Sequence, residues 1–271
     1  MIDVLIFSKD RACQLDLCLR TIKKKLLIDK QIRVQYTVST TFHQEGFDKI
    51  IKQYPSVEFI KENNFIDTTK NIIKTFKNDH CIFFTDDDVF INEVNNENLG
   101  ELVSESNRLK NIHCISFRMN PTINHCYPAH ADISPPSTFL EREKYLMWNW
   151  SSRSLNQHCC WGYPMAINGH LYETNLIRPV ILNQNFYNVN SLESCINRNR
   201  FKGKPLIISF TETKVYNVQN NFVQGKKINE VVDIYSVDKL NALYLEGKSI
   251  REDFYGMNTT MAHGKLKYCI K

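Results

Sequence analysis

Long apolar stretches are what this sequence most plainly lacks. In its 271 residues no run approaches the ~20 that a membrane-spanning helix needs. Nothing basic and apolar precedes the strand-like run Val4 to Phe7, so no secretory leader is expected. Cys-x-x-Cys spacing is also missing. The nine cysteines are odd in number and irregularly placed, and several lie in apolar runs, where a thiol acts as a small hydrophobe. Structural zinc is therefore not expected, and reduced thiols in a cytoplasmic protein are. Strong charge of either sign is absent too. The net charge is +5, and its densest basic run, Lys23 to Lys25, reads as the solvated end of a helix. No nucleic-acid partner is expected, whereas an anionic small-molecule donor or peripheral contact with a membrane surface is compatible. No internal repeat, low-complexity tract or linker divides the chain. A single domain with two functional halves, residues 1–118 and 119–271, is the expectation.

What is present is the composition of a folded protein: 42% hydrophobic, 11% aromatic, 23% charged. Val4-Leu5-Ile6-Phe7 reads as a buried strand, Ser8 to Arg11 as a polar turn, and Gln14 to Ile22 as a helix by its apolar spacing. Backbone N–H groups of that turn, with Arg11, could meet a phosphate or a base; a surface ion pair at a helix start explains Arg11 equally well. A second strand spans Ile32 to Val38, ending in Ser39-Thr40-Thr41, and Phe47 to Tyr54 reads as a short helix closed by Pro55. A third strand at Val57 to Ile60 precedes a helix through Thr68, Ile72, Ile73 and Phe76. Such alternation predicts an α/β fold with a mostly parallel sheet and right-handed crossovers. A helix from about Asn98 to Leu109 and a strand at Cys114 to Phe117 continue it. Residues 120–170 then change texture. They hold five prolines, all three tryptophans and several histidines, which reads as a loop-rich, aromatic binding wall. Leu206 to Phe210 resumes as a strand and Val237 to Leu245 as a late helix.

The focus of the chain is Cys81-Ile82-Phe83-Phe84-Thr85-Asp86-Asp87-Asp88-Val89-Phe90. Four apolar residues, short enough for a strand buried on both faces, lead into three adjacent carboxylates that repel one another. An acidic turn capping a helix is the bland explanation. A divalent cation is the other, because hard cations take oxygen ligands and neutralise clustered acids. In open α/β sheets ligands bind beyond the carboxyl ends of the strands, where this cluster would sit. Along an extended segment Asp86 and Asp88 would project to one side, able to hold Mg²⁺ or Mn²⁺ with waters and substrate phosphates.

This Asp-x-Asp after a buried strand resembles the metal site of GT-A-fold glycosyltransferases. Phe7-Ser8-Lys9-Asp10-Arg11-Ala12-Cys13-Gln14-Leu15 is similar to the opening FSKDRxxQL of a bacterial and large-virus group of these enzymes. Ser116 to Asn120 with Cys126-Tyr127, Trp148-Asn149-Trp150, and Trp161-Gly162-Tyr163-Pro164 with Gly169 to Tyr172 resemble later elements of that group. So do Asn190-Ser191-Leu192-Glu193, Asn217-Val218-Gln219, Leu245-Glu246-Gly247 and Ala262-His263. The likeness implies a GT-A-like, Rossmann-type sheet, with 1–118 binding a nucleotide-sugar and 119–271 binding the acceptor. It implies transfer from a nucleotide-diphosphate donor, UDP by frequency, to a glycan or glycolipid hydroxyl, with inversion. Asp86 and Asp88 would hold Mn²⁺ or Mg²⁺, with His263 as third ligand or diphosphate contact; a lone histidine is otherwise structural. Ser8, Asp10, Arg11, Thr40, Asp86 and Asp87 would line the nucleotide. Trp161 and Tyr163 would stack on acceptor sugars, although core packing also explains them. Glu193 would be the general base, at a helix start capped by Asn190 and Ser191, or else a dipole partner there. Ser194 stands where a second acid is commoner.

Two other classes compete. Asp86-x-Asp88-Val89 also matches the nucleophile loop of haloacid-dehalogenase-type phosphatases. That loop belongs on an early strand with a later acidic pair, and downstream Asp132, Asp233, Asp238 and Asp253 are isolated. A non-catalytic carbohydrate-binding protein on the same fold is the third reading. An EF-hand fails, since the acids are bunched and no glycine follows.

Overall fold

The computed structural model of this chain describes residues 1–137, 139–141, 144–156, 158–219, 235–252, 260–264 and 268–271. Asp233 and Asp253 lie outside the described residues.

The chain opens with β1 (Ile2–Lys9), α1 (Ala12–Lys25), a short β2 (Leu26–Leu27), β3 (Lys30–Thr37), α2 (Thr41–Gln53), β4 (Glu58–Lys61), α3 (Phe65–Thr75) and β5 (His80–Thr85). After the acids come β6 (Asp88–Phe90), β7 (Val94–Asn95), α4 (Asn96–Leu109) and β8 (Ile112–Ser116). The remainder carries β9 (His125–Cys126), β10 (Ala131–Asp132), β11 (Leu140–Glu141), β12 (Tyr145–Asn149), β13 (His170–Glu173), α5 (Thr174–Leu182) and α6 (Val189–Arg198). It ends with β14 (Leu206–Phe210), β15 (Val215–Val218), α7 (Val237–Leu245) and β16 (His263–Gly264).

β1 shows why these segments are strands. Every residue from Ile2 to Ser8 is buried, and alternate side chains leave on opposite faces. Val4 and Ile6 join Leu15, Phe47 and Leu240 in one core layer, while Leu5 and Phe7 join Ile73, Ile177 and Leu192 in the other. A strand covered by helices on both faces has no polar side, hence the unbroken apolar run. Burying one such side chain contributes roughly 1.5–3 kcal/mol, so β1 and β5 anchor the turns at their ends firmly.

The main sheet has nine strands in the order β11-β12-β14-β8-β13-β5-β1-β3-β4. β12 and β13 run antiparallel to their neighbours, and the rest are parallel. This is the α/β architecture with a mostly parallel central sheet flanked by helices that the sequence predicts. Residues 120–170 are less irregular than their composition suggests, since β11 and β12 enter the main sheet from this region and β13 begins at its end. β13 seats Leu171 opposite Ile82 of β5 and Ile115 of β8. α5 also lacks a clear sequence signature, because Pro179 stands inside it.

A three-stranded sheet, β16-β15-β6, positions the acids. Its register sets Asn217 opposite both Asp88 and His263. These three residues therefore form one cross-strand row, with the amide in the middle. The nine cysteines are free thiols, eight of them buried. Among the described residues no helix is long and apolar enough to cross a membrane.

Candidate active site

β5 leaves its buried core at Thr85, and Asp86-Asp87 form a turn before β6 begins at Asp88. The turn replaces the extended geometry expected from sequence, so Asp86 and Asp88 do not simply share a side. Asp86 meets the end of β1: its Oδ2 accepts from Ser8 Oγ at 2.7 Å and Lys9 N at 3.2 Å, and its Oδ1 from Arg11 Nη1 at 2.9 Å. Asp88 meets other elements. Its Oδ2 accepts from Thr85 N at 2.7 Å and Asn168 Nδ2 at 3.0 Å, and its Oδ1 from Asn217 Nδ2 at 2.9 Å. Asp87 lies between them, held by Arg11 Nη1 at 3.0 Å, Thr85 Oγ1 at 2.6 Å and Asn217 Nδ2 at 2.9 Å. Its side chain is 16% exposed against 4% for Asp86, making it the more outward of the two.

One guanidinium against three carboxylates leaves negative charge in excess. Burial, the largest effect, raises the Asp86 carboxyl to about 6 although Arg11 pulls it down. Burial and then the neighbouring Asp87 charge raise Asp88 to about 7, against the hydrogen bonds of Thr85, Asn217 and Asn168. A cation placed beside these carboxylates would favour their charged forms.

The other nucleotide-side candidates gather at the same edge. Asp10 adopts a left-handed backbone, φ 59°, which aspartate tolerates better than most residues. Its carboxylate accepts from Ser39 N at 2.6 Å and Ser39 Oγ at 2.7 Å, tying the ends of β1 and β3 together. Thr40 caps α2 by accepting from His43 N at 3.2 Å. Ser8, Arg11, Asp86 and Asp87 thus touch directly, with Asp10 in the same turn as Arg11 and Thr40 on the adjoining loop after β3.

With this geometry in view, comparison with known proteins gives two findings of use. The chain is 29% identical, over 290 aligned positions, to the bifunctional glycosyltransferase pgtA of Dictyostelium discoideum, covering 95% of this chain and 37% of that protein. Its backbone superposes on a crystal structure of S. aureus TarS 1–349 in complex with UDP, with TM-score 0.51 and 12% identity over 81% of this chain and 61% of that one. The second likeness is one of fold. The chain thus spans little more than a third of the sequence relative and under two thirds of the structural one. No protein-family profile matches the sequence.

His263 and Trp161 require revision. His263 Nε2 contacts the Arg118 guanidinium, and its Nδ1 faces Asn217 Oδ1 at 3.4 Å. Burial, then the charge of Arg118, holds its imidazole well below its usual range, so it is neutral. With Asn217 interposed, His263 does not join Asp86 and Asp88 as a third ligand. Among the described residues no three His, Cys, Asp or Glu side chains form a group that could hold a metal. The acids nevertheless suit Mg²⁺ or Mn²⁺, since both are hard cations that take much of their shell from water and phosphate. Trp161 is 2% exposed. Its ring lies edge-on to Trp148 at 5.0 Å, near Phe139, and its Nε1 donates to Ile123 O at 3.0 Å. A core position leaves no face for a sugar.

Tyr163 and Glu193 do meet. The tyrosine hydroxyl donates to Glu193 Oε1 at 3.1 Å, and Ile167 N donates to Oε2 at 2.9 Å. Burial raises the Glu193 carboxyl above its usual value, opposed by those bonds and by the charge of Arg118. The helix carrying it is capped by Asn188, with Ser191 closing a capping box at the third position. Glu193 therefore belongs to the second turn, not the helix start. Ile167 holds Glu193 while the next residue, Asn168, holds Asp88, so one dipeptide joins the two carboxylate centres.

Arg118, Asn168 and Asn217 are the site residues that sequence reading missed. Arg118 and Asn217 lie within segments quoted for their family resemblance, yet nothing in their spacing gives them a role. Asn168 has no sequence signal.

Proposed function

We propose that this chain is a metal-dependent glycosyltransferase of the inverting kind. It would move a sugar from a nucleotide-diphosphate donor, UDP being favoured, to a hydroxyl of a glycan or glycolipid. The observation that carries this reading is the surplus of buried carboxylate at Asp86-Asp87-Asp88, beyond the carboxyl end of a central strand. The resemblance to pgtA, a named glycosyltransferase, and the fold shared with a UDP-bound TarS support it.

Asp86 and Asp88 would hold Mn²⁺ or Mg²⁺, which supplies charge stabilisation for the departing diphosphate. Ser8, Asp10, Arg11, Thr40 and Asp87 would line the nucleotide. Glu193 would accept the proton of the attacking hydroxyl on a carboxylate oxygen, its basicity raised by burial toward the range useful near neutral pH. Tyr163 would orient that carboxylate from the acceptor side.

A screen of nucleotide-sugars tests this, reading the thermal midpoint with and without Mn²⁺ and the slow release of nucleoside diphosphate. We expect at least one donor to raise the midpoint only when Mn²⁺ is present and to be hydrolysed slowly. Release of phosphate from phosphomonoesters instead would replace the transferase by a phosphatase.

A further inference from the structure

Arg118 stands next to this site with a charge that is felt at Glu193 but is in ion-pair contact with no carboxylate among the described residues. Its residue is 6% exposed, and its Nε is buried without a hydrogen-bond partner. Nη1 reaches Asn168 O at 3.5 Å and Nη2 contacts His263 Nε2. All its partners among the described residues are neutral. A buried cation satisfied only by neutral groups is costly unless an anion completes it.

Its position indicates which anion. Two routes connect it to Asp88, one through a single residue and one through two. Asn168 offers its carbonyl to Arg118 and its side-chain amide to Asp88, and His263 faces Asn217, whose amide binds Asp87 and Asp88. The direction of the guanidinium is also set from behind. Gly169 has φ +66°, and a Cβ there would lie 3.2 Å from Arg118 Cγ, so the arginine stem packs against a backbone only glycine suits.

We propose that Arg118 binds the diphosphate of the donor, on the side of the acid knot away from Arg11, with His263 holding the guanidinium ready before the donor arrives. This rests on the transferase reading and adds a second positive group to the cation held by the aspartates. A planar guanidinium suits two phosphate oxygens at once, and Nε is the donor left without a partner to make that fork with Nη2.

The test measures binding of UDP, UMP and inorganic pyrophosphate by calorimetry, all with Mn²⁺, to the wild type, Arg118→Met and Arg118→Lys. GDP and GMP serve as a parallel pair. Arg118→Met should weaken UDP and pyrophosphate by roughly 10- to 100-fold and leave UMP nearly unchanged. Arg118→Lys should recover part of the loss. The midpoint of the Met variant without ligand should not fall below wild type, whereas a structural arginine would lower it. Equal losses for UDP and UMP, or none for either, overturn the proposal. If UDP binding needs Asp88 but not Arg118, the transferase reading stands and this one falls. Pyrophosphate binding that needs Arg118 in a protein blind to every nucleotide would do the reverse, and a wild type that binds no probe removes both.

Discussion

Two knots of buried charge lie at opposite ends of the parallel strands, and they are built to different rules. At the amino end, Asp3 is fully buried and pairs with Arg33 Nη1 at 2.7 Å. Lys77 N, Asn78 N and Asn78 Nδ2 complete its shell within 3.0 Å. One buried carboxylate meets one guanidinium, and the arginine also reaches the largely solvated Glu58 at 3.0 Å. At the carboxyl end, three adjacent aspartates stand beside one guanidinium, Arg11, which pairs with Asp86 and Asp87. The balanced knot ties loops to the sheet. The unbalanced one invites a ligand. The sign of the residual charge, more than its burial, separates structure from function here.

The sharpest way to break that contrast is to neutralise one acid in each knot. Asp88→Asn should reduce metal-dependent turnover of a nucleotide-sugar by roughly 10²–10³-fold, while leaving the ligand-free midpoint unchanged or raised, because a repelled charge is removed. Asp3→Asn should do the opposite, lowering stability by about 3–5 kcal/mol as Arg33 loses its buried partner and keeps only the exposed Glu58, without a specific effect on catalysis in the folded fraction. Denaturation curves and donor-hydrolysis rates on both variants decide it. Parallel outcomes in the two would erase the distinction.

Of comparable size is a loss of proton-accepting ability. Glu193→Gln should lower transfer to an acceptor by roughly 10²–10⁴-fold, with donor affinity kept. Equal losses in turnover and donor binding would make Glu193 a structural residue of the Tyr163–Ile167 loop.

Acidity gives a gentler probe of the same surplus. The Asp86 and Asp88 carboxyls are raised in the folded protein from an ordinary value of 3.8 to about 6 and about 7. The folded state therefore binds more protons than the unfolded chain between those limits. The stability this contributes is present below pH ~4 and is lost as pH rises toward 7. Thermal midpoints of the ligand-free protein should decline across that window, and Asp88→Asn should flatten the decline. A profile identical in the variant would mean that Asp88 is already neutralised within the fold.

How far the sequence foretold this site depends on what kind of contact builds each part. β1 and β5 were legible because strands buried on both faces leave unbroken apolar runs, and β3 because apolar and polar residues alternate from Ile32 to Val38. The acid knot stood out because nothing in a fold requires three carboxylates after such a run. Asn168 and Asn217 could not be found that way. They reach Asp88 across 80 and 129 residues of sequence, and a neutral amide leaves no pattern. Trp161 misled for a related reason: composition marks a tryptophan as adhesive but cannot say whether its face meets a sugar or Trp148. The cap at Asn188 was missed because Asn190 and Ser191 offer equally good capping side chains two and three positions later.

The smallest effect lies in the hydroxyl of Tyr163. Tyr163→Phe removes one donor from Glu193 and keeps the ring, so stability should change by no more than about 1 kcal/mol. That donor favours the charged carboxylate, and losing it leaves burial less opposed, so the Glu193 carboxyl should rise further. A base with a higher pKa is deprotonated over a narrower range, and the acidic limb of the pH–rate profile should move to higher pH, with the plateau little altered. An unmoved limb would mean that another group limits the rate at low pH, and would detach Tyr163 from the proton transfer.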